Sequence, residues 1–261
     1  MTSRREENGF TLVELLTVMA VMAMLSGLLL PALRAARGQA RERVCQSNLR
    51  QLLLAAQSYA GMNDEFFPPA YYRKRVDAQQ IRYAWDFTTW QNGPEVEVRP
   101  GLLWMGRTDA QVQQCPVFKG PSNTRADPYT GYNYNTSYLG RNETVSPRAS
   151  AKTTDVRRPA ETVIFGDGEY AAGANKYMRA PYANPRDASF SDAFRYAGVQ
   201  GFRHAGASNA AFCDGHVASF REVYTETDFV SKDLLDRHNA EASTAVKVGF
   251  LSPDNRLYDL K

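Results

Sequence analysis

Residues 10–33 constrain this chain more than any other feature. These twenty-four consecutive positions, Phe10 to Leu33, contain a single charged side chain, Glu14. At about 1.5 Å of rise per residue, roughly 20 helical residues cross the hydrocarbon core of a bilayer, so the segment is long enough to span one. A secretory signal peptide is the competing reading, but its apolar core runs to only about 7–15 residues behind a basic leader. Here the run is longer, the leader sets Arg4 and Arg5 against Glu6 and Glu7, and Glu14 lies inside the run. A carboxylate is costly at membrane depth, so one retained there calls for a function. The whole-chain mean hydropathy is −0.47 despite this segment, which implies a polar body carrying one apolar anchor. A chain of 261 residues has room for one sizeable domain beyond the anchor.

The formal charge of +3 stays +3 when residues 1–9 are removed, since two arginines and two glutamates leave together. No block of five like charges occurs, so a nucleic-acid partner is not expected. Arg34, Arg37, Arg41, Arg43 and Arg50 follow the span, whereas only Arg4 and Arg5 precede it. Taken alone, that asymmetry would leave the body in the cytoplasm.

The junction Gly9-Phe10-Thr11-Leu12-Val13-Glu14-Leu15-Leu16 resembles the type IV prepilin signal of pilins and of the pseudopilins of type II secretion. The resemblance implies cleavage after Gly9 by a prepilin peptidase and N-methylation of Phe10. It also implies that Glu14 pairs with the new ammonium group of a neighbouring subunit, which sets register in an assembly. Such families carry a proline 21 residues after the first mature residue, and Pro31 stands there. A helix kink at Pro31 is therefore expected, because proline removes one helical hydrogen bond. In these families the residues after the span continue as helix, which would override the arginine count.

A second resemblance lies near the other end. His204, nine intervening residues, then Asp214-Gly215 is similar to the His-X9-Asp-Gly signature of a prepilin-processing-associated C-terminal domain. Cys45-Gln46-Ser47-Asn48-Leu49-Arg50-Gln51-Leu52, Phe67-Pro68-Pro69 and Cys115-Pro116 fit patterns of the same families. These matches imply location and assembly more than chemistry.

The chain divides by pattern into a leader (1–9), a membrane-spanning helix segment (10–33), its amphipathic continuation (34–64) and a periplasmic or extracellular globular domain (65–261). Cys45, Leu49, Leu52, Ala56 and Tyr59 recur at steps of four and three, which draws one apolar stripe along the continuation. Leu52, Leu53 and Leu54 read as core. Beyond Pro68-Pro69, short β-rich runs at Ile81–Trp90, Glu161–Phe165, Ala210–Phe212 and Val217–Phe220 alternate with loops at 127–140 and 170–201. A short helix is expected over 227–239. The fold class is α+β: a long N-terminal helix packed on a small antiparallel β-sheet with long loops.

Asp214-Gly215 between two apolar runs predicts a two-residue hairpin, with Cys213 opposite His216, Phe212 opposite Val217 and His204 bonding Asp214 or a nearby carbonyl. A metal site is the sharper reading. Asp167, His204, Asp214 and His216 are its weak candidates, with Cys213 beside them. Calcium ranks ahead of zinc, with Asp187 and Asp192 added as oxygen donors. Cys45 and Cys115 read either as a disulfide tying the helix to the first loop region or as buried free thiols. Gly166-Asp167-Gly168-Glu169 reads first as a turn. Tyr129, Tyr132, Tyr134 and Tyr138 read as a loop packed on the body.

No GxSxG, Walker A or GxGxxG pattern occurs and only three histidines are present, so no enzymatic activity and no cofactor are expected, calcium being the one cation considered. The expected role is that of a pseudopilin-like subunit in the inner membrane, with its C-terminal domain periplasmic or in a fibre. Its partners would be the prepilin peptidase, other pilin or pseudopilin subunits and the assembly platform. The alternative is a membrane-anchored binding or hydrolytic protein that acts on extracellular polymers through the loops around His204 and Asp214.

Overall fold

A computed structural model describes residues 11–77, 79–104, 109–121, 127–141, 143–144, 146, 148–169, 173–182, 198–225, 235 and 246–261. Gly9, Phe10, Asp187, Asp192 and, apart from Leu235, the segment 227–239 lie outside the described residues. The chain forms two compact units, Met1–Arg41 and Glu42–Lys261.

Helix α1 runs from Leu12 to Met62 and is long and apolar enough over its first part to cross a membrane. It opens on a capping box formed by Thr11 and Glu14. The Thr11 N–H donates to Glu14 Oε2 at 2.9 Å, and the Glu14 N–H donates to Thr11 Oγ1 at 3.3 Å. Each side chain thus satisfies a backbone donor that the first turn leaves without a helical acceptor. Every described residue from Thr11 to Arg41 is exposed, so no described part of the chain covers the apolar surface of this helix segment. Pro31 lies inside the helix, which continues through it without a break.

In the second unit, α1 changes character. Cys45, Leu49, Leu52, Leu53, Ala56, Tyr59 and Ala60 are buried on one face, at the spacing a 3.6-residue period requires. Leu54 departs from the expectation: it is 62% exposed, because its place in the turn points away from that face. Leu49→Ala should therefore lower stability by about 2–5 kcal/mol, whereas Leu54→Ala should leave it nearly unchanged. Urea unfolding of both variants, followed by tryptophan fluorescence, separates the two cases.

The strands, in chain order, are β1 (Tyr71–Val76), β2 (Gln79–Ala84), β3 (Phe87–Asn92), β4 (Glu95–Pro100), β5 (Asn133–Asn135), β6 (Glu143–Thr144), β7 (Val163–Gly166), β8 (Tyr177–Met178), β9 (Gln200–Gly201), β10 (Ser208–Phe212), β11 (Val217–Phe220) and β12 (Val248–Gly249). They form one sheet ordered β4-β3-β2-β1-β6, a second ordered β11-β10-β7-β5-β8, and the pair β12-β9. Most pairings are antiparallel; β1 with β6 and β5 with β8 are parallel. The class is α+β, as expected, but with two five-stranded sheets instead of one small sheet.

The anticipated single strand over 81–90 is two strands, broken at Trp85 and Asp86. Both residues are buried, and each has a polar partner. Trp85 Nε1 donates to the Lys176 carbonyl at 3.2 Å, and Lys176 Nζ reaches Asp86 Oδ2 at 2.8 Å and Asp127 Oδ2 at 3.1 Å. A buried lysine needs such carboxylates, since an unpaired charge in the interior is strongly disfavoured.

The second sheet is covered on both faces. Ala211 of β10 joins the cluster under the helix with Leu49, Leu52, Ile164 and Phe165. Its neighbours Ala210 and Phe212 join a separate cluster with Met178, Phe250, Leu251 and Tyr258. The alternation follows from the two-residue period of a strand. Burial on both faces explains why Val163–Phe165 of β7 and Ala210–Phe212 of β10 read as apolar runs without polar alternation. Tyr132 and Tyr134 are buried in the cluster under the helix, with Tyr129 packed against it, so the tyrosine-rich segment does pack on the body.

Candidate functional site

A buried polar cluster sits where α1, the end of β7, the start of β10 and the segment before β5 converge. Cys45 arrives on the buried stripe of α1, Asp167 follows β7 directly, and Arg203 and His204 precede β10. Cys115 is held by its N–H donating to the Thr130 carbonyl at 3.1 Å. A tight turn fixes His204. Ala205 and Gly206 both have positive φ, +51° and +79°, and the N–H and C=O of His204 and Ala207 bond reciprocally at 2.9 and 3.0 Å. Positive φ at both central residues is the requirement of a type I′ hairpin turn.

Asp167 is the hub. Its Oδ1 accepts from Arg203 Nη2 at 3.1 Å and from the Cys45 thiol at 3.0 Å. Its Oδ2 lies 3.3 Å from His204 Nε2 and accepts the Asn209 N–H at 2.7 Å. Arg203 Nε donates to Cys115 Sγ at 3.2 Å, and Nη1 reaches Glu169 Oε2 and the Gly168 carbonyl, both at 3.3 Å. Arg203 Nη2 also donates to the Gly131 carbonyl. Cys115 Sγ and His204 Nε2 are 3.8 Å apart. Cys45, Cys115 and Asp167 are fully buried and His204 is 3% exposed.

The electrostatics follow from this packing. Burial alone would raise the Asp167 carboxyl, but Arg203, His204 and the Asn209 N–H together hold it below the ordinary carboxylate range. Burial opposes charge on His204, yet Asp167 and Cys115 outweigh it and push the imidazole up to about 9. The two thiols diverge. Burial, the Cys115 hydrogen bond and the Asp167 charge push Cys45 up. Burial also resists ionisation of Cys115, but Cys45, Arg203 and His204 together bring it well below the usual thiol value. Glu169 is raised because burial outweighs the pull of Arg203. An opposite charge within a few ångströms favours the ionised form, and burial disfavours it.

The Asp167 segment makes a tight three-residue turn at the end of β7, in which the Gly168 N–H donates to the Gly166 carbonyl at 3.0 Å. Gly166 closes β7, and Gly168 forms a bridge with Gln200. A Cβ at Gly166 would sit 2.3 Å from Gln200 Oε1, and one at Gly168 2.3 Å from the Asn175 carbonyl. At Gly168 the Asn175 backbone approaches too closely for any side chain, whereas at Gly166 the crowding comes from the movable end of the Gln200 side chain. Arg203 and Asn209, which complete the cluster, carried no local signal in the sequence.

The signature residues separate in space. His204 belongs to the buried cluster. Asp214 stands at a hairpin tip, where its Oδ1 meets His216 Nδ1 at 2.6 Å and accepts the His216 N–H at 3.1 Å. The two-residue hairpin is also corrected. Ala211 pairs with Val217, the Phe212 ring stacks on His216 with centroids 4.2 Å apart, and the Gly215 N–H donates to the Phe212 carbonyl. The loop is therefore three residues, Cys213 to Gly215, with positive φ at Gly215 only. One residue of loop length shifts the register and changes every facing pair. His204 bonds Asp167 instead of Asp214, and His204 and Asp214 do not form a common solvent-facing pair.

Of the four metal candidates, Asp167 and His204 come together while Asp214 and His216 lie apart at the tip. The residues that join Asp167 and His204 are Cys45 and Cys115: one donor atom from each of the four lies within 4.8 Å of the others. Both cysteines stand as free thiols in this structure.

Among known families, residues 4–30 match the prokaryotic N-terminal methylation motif. No curated protein and no solved structure matches the chain. The match covers the leader and anchor, and it agrees with the position of Glu14 at the head of a membrane-length helix. The body, with its buried cluster, lies outside the matched residues.

Proposed function

We propose that the chain is a pseudopilin-like structural subunit, assembled into a type II secretion pseudopilus or a type IV pilus-like fibre. The N-terminal methylation motif over residues 4–30 carries this reading. It is supported by an exposed, membrane-length apolar helix segment whose first turn holds one carboxylate. In this scheme a prepilin peptidase cuts after Gly9 and Phe10 becomes an N-methylated terminus. Residues 10–33 hold the subunit in the inner membrane and then pack against other subunits in the fibre. The body occupies the periplasmic or extracellular side.

Glu14 has a physical role in that assembly. Cleavage creates an ammonium group four residues before it in the chain, and in the apolar interior of a helix bundle each charge needs a partner. A neighbouring subunit's terminus supplies one, and the pair fixes axial register, the best attested use of a buried ion pair.

Intact-mass and N-terminal peptide mass spectrometry on protein from its native membrane tests the reading. A chain beginning at methylated Phe10 is the expected result. A chain beginning at Met1 in cells with active prepilin peptidase, or one cut near residue 40 as a secretory precursor, would overturn it.

A further inference from the structure

We propose that Cys45, Cys115, Asp167 and His204 form a structural zinc site in the core of the body. Four residues far apart in sequence bring two sulfurs, a carboxylate and an imidazole to one point. Zinc binds sulfur at about 2.3 Å and nitrogen or oxygen at about 2.0–2.2 Å, so the edges of its tetrahedron are about 3.3–3.8 Å. The separations present are 3.0 Å for Cys45 Sγ to Asp167 Oδ1, 3.3 Å for His204 Nε2 to Asp167 Oδ2 and 3.8 Å for Cys115 Sγ to His204 Nε2. With one donor atom taken from each residue, all four lie within 4.8 Å of one another, so closing to tetrahedral edges needs side-chain shifts of about 1 Å. Two thiolates and an imidazole are soft donors that suit zinc and not calcium, which takes oxygen ligands.

Charge and burial agree with a closed site. Ligation needs both cysteines as thiolates and His204 neutral, so zinc would displace the protons that Cys45 and His204 hold in the metal-free cluster. With Asp167 ionised, three anionic ligands and a divalent cation sum to −1, and Arg203 stands against both Asp167 and Cys115 to balance it. Arg203 and Asn209 then act as outer partners that orient the ligands, as metal sites generally require. All four donors are buried, which is the condition of a structural site; a catalytic site keeps a position open to solvent.

The N-terminal and C-terminal halves of the body meet here. Cys45 comes from the helix, Cys115 from the first half, and Asp167 and His204 from the sheet that α1 covers. A metal would tie the long helix to that sheet at a point where hydrophobic contact alone gives no directional bond. The site lies entirely within residues 42–261, so its presence does not depend on the proposed assembly role.

The test uses the full chain purified in mild detergent without chelators. Elemental analysis should find about one zinc per chain. Exchange with cobalt(II) should give the visible bands of a tetrahedral ion together with near-ultraviolet thiolate-to-cobalt charge transfer. Cys45→Ser should abolish the charge-transfer pattern or shift it to that of one thiolate, and Cys213→Ser should leave it unchanged. Because a ligand variant can fail to fold, alkylation of the wild-type protein supplies a second readout. In moderate urea, where buried thiols become accessible, Cys45 and Cys115 should react markedly faster with chelator than without it, with Cys213 as the internal reference; equal rates would count against the site. A folded, metal-free protein that gives no cobalt bands would overturn the proposal, as would isolation of the native chain with Cys45 and Cys115 joined as a disulfide.

Discussion

Replacing Arg203 with methionine should destabilise the body by about 3–5 kcal/mol, the range for breaking a buried ion pair by removing one partner. The side chain is 1% exposed and faces two carboxylates, Asp167 and Glu169, that are themselves buried. Its loss also strips donors from the Gly131 and Gly168 carbonyls and from Cys115. Methionine fills part of the volume but supplies no donor, so both carboxylates stay buried with reduced compensation. The exposed pair Arg99–Glu97, 2.7 Å apart with both side chains more than half exposed, provides the contrast. Arg99→Met should have little effect, because solvent screens such pairs and already solvates both ends. Urea unfolding of the full chain in mild detergent, followed by tryptophan fluorescence, measures both variants, since Trp85, Trp90 and Trp104 all belong to the body. Equal midpoints for the two variants would refute the central role given to Arg203.

Glu14→Gln should abolish fibre incorporation while leaving the helix start intact. Glu14 has two roles: it completes the capping box with Thr11, and it is the one charge within the anchor. Glutamine serves equally well at that capping position but cannot pair with an ammonium group. Glu14→Ala removes both functions. If register depends on charge, glutamine and alanine variants will fail alike in assembly, although both insert in the membrane and keep a folded body. If the cap is what matters, the glutamine variant will assemble normally and the alanine variant will not. Immunoblotting of sheared fibre or pseudopilus fractions against membrane fractions distinguishes these outcomes.

The helix was the most legible part of the chain. Its apolar run, the stripe from Cys45 to Tyr59 and the α+β class follow from local periodicity, because a helix registers its burial every three or four residues. The sheets were less legible. β1 carries mostly exposed, charged side chains and has no apolar alternation to read, whereas β4 alternates Val96 and Val98 with Glu95, Glu97 and Arg99 on a largely exposed strand. β2 and β3 merged into one run because the break between them depends on Asp86 meeting Lys176, ninety residues away. The hairpin at Asp214-Gly215 was placed correctly but given one loop residue too few. A turn's length depends on which strand register the sheet accepts, and Asp-Gly sequences fit more than one loop type.

The buried cluster shows the same division at the level of chemistry. Asp167 and His204 stood out in the sequence as candidate ligands, and Cys45 and Cys115 as a candidate pair, but as two separate matters. Asp214 and His216, grouped with the first set because they are close in sequence, lie with each other at an exposed tip. By itself, the sequence determined the membrane-length helix, the carboxylate at its head and the buried stripe at its far end, since each is a property of neighbouring residues along one helix. Only the tertiary structure decided that a cysteine of that stripe meets Cys115, Asp167 and His204 around Arg203. Contacts between residues 70 to 160 positions apart are set by how the sheets stack under the helix, and no local pattern records that.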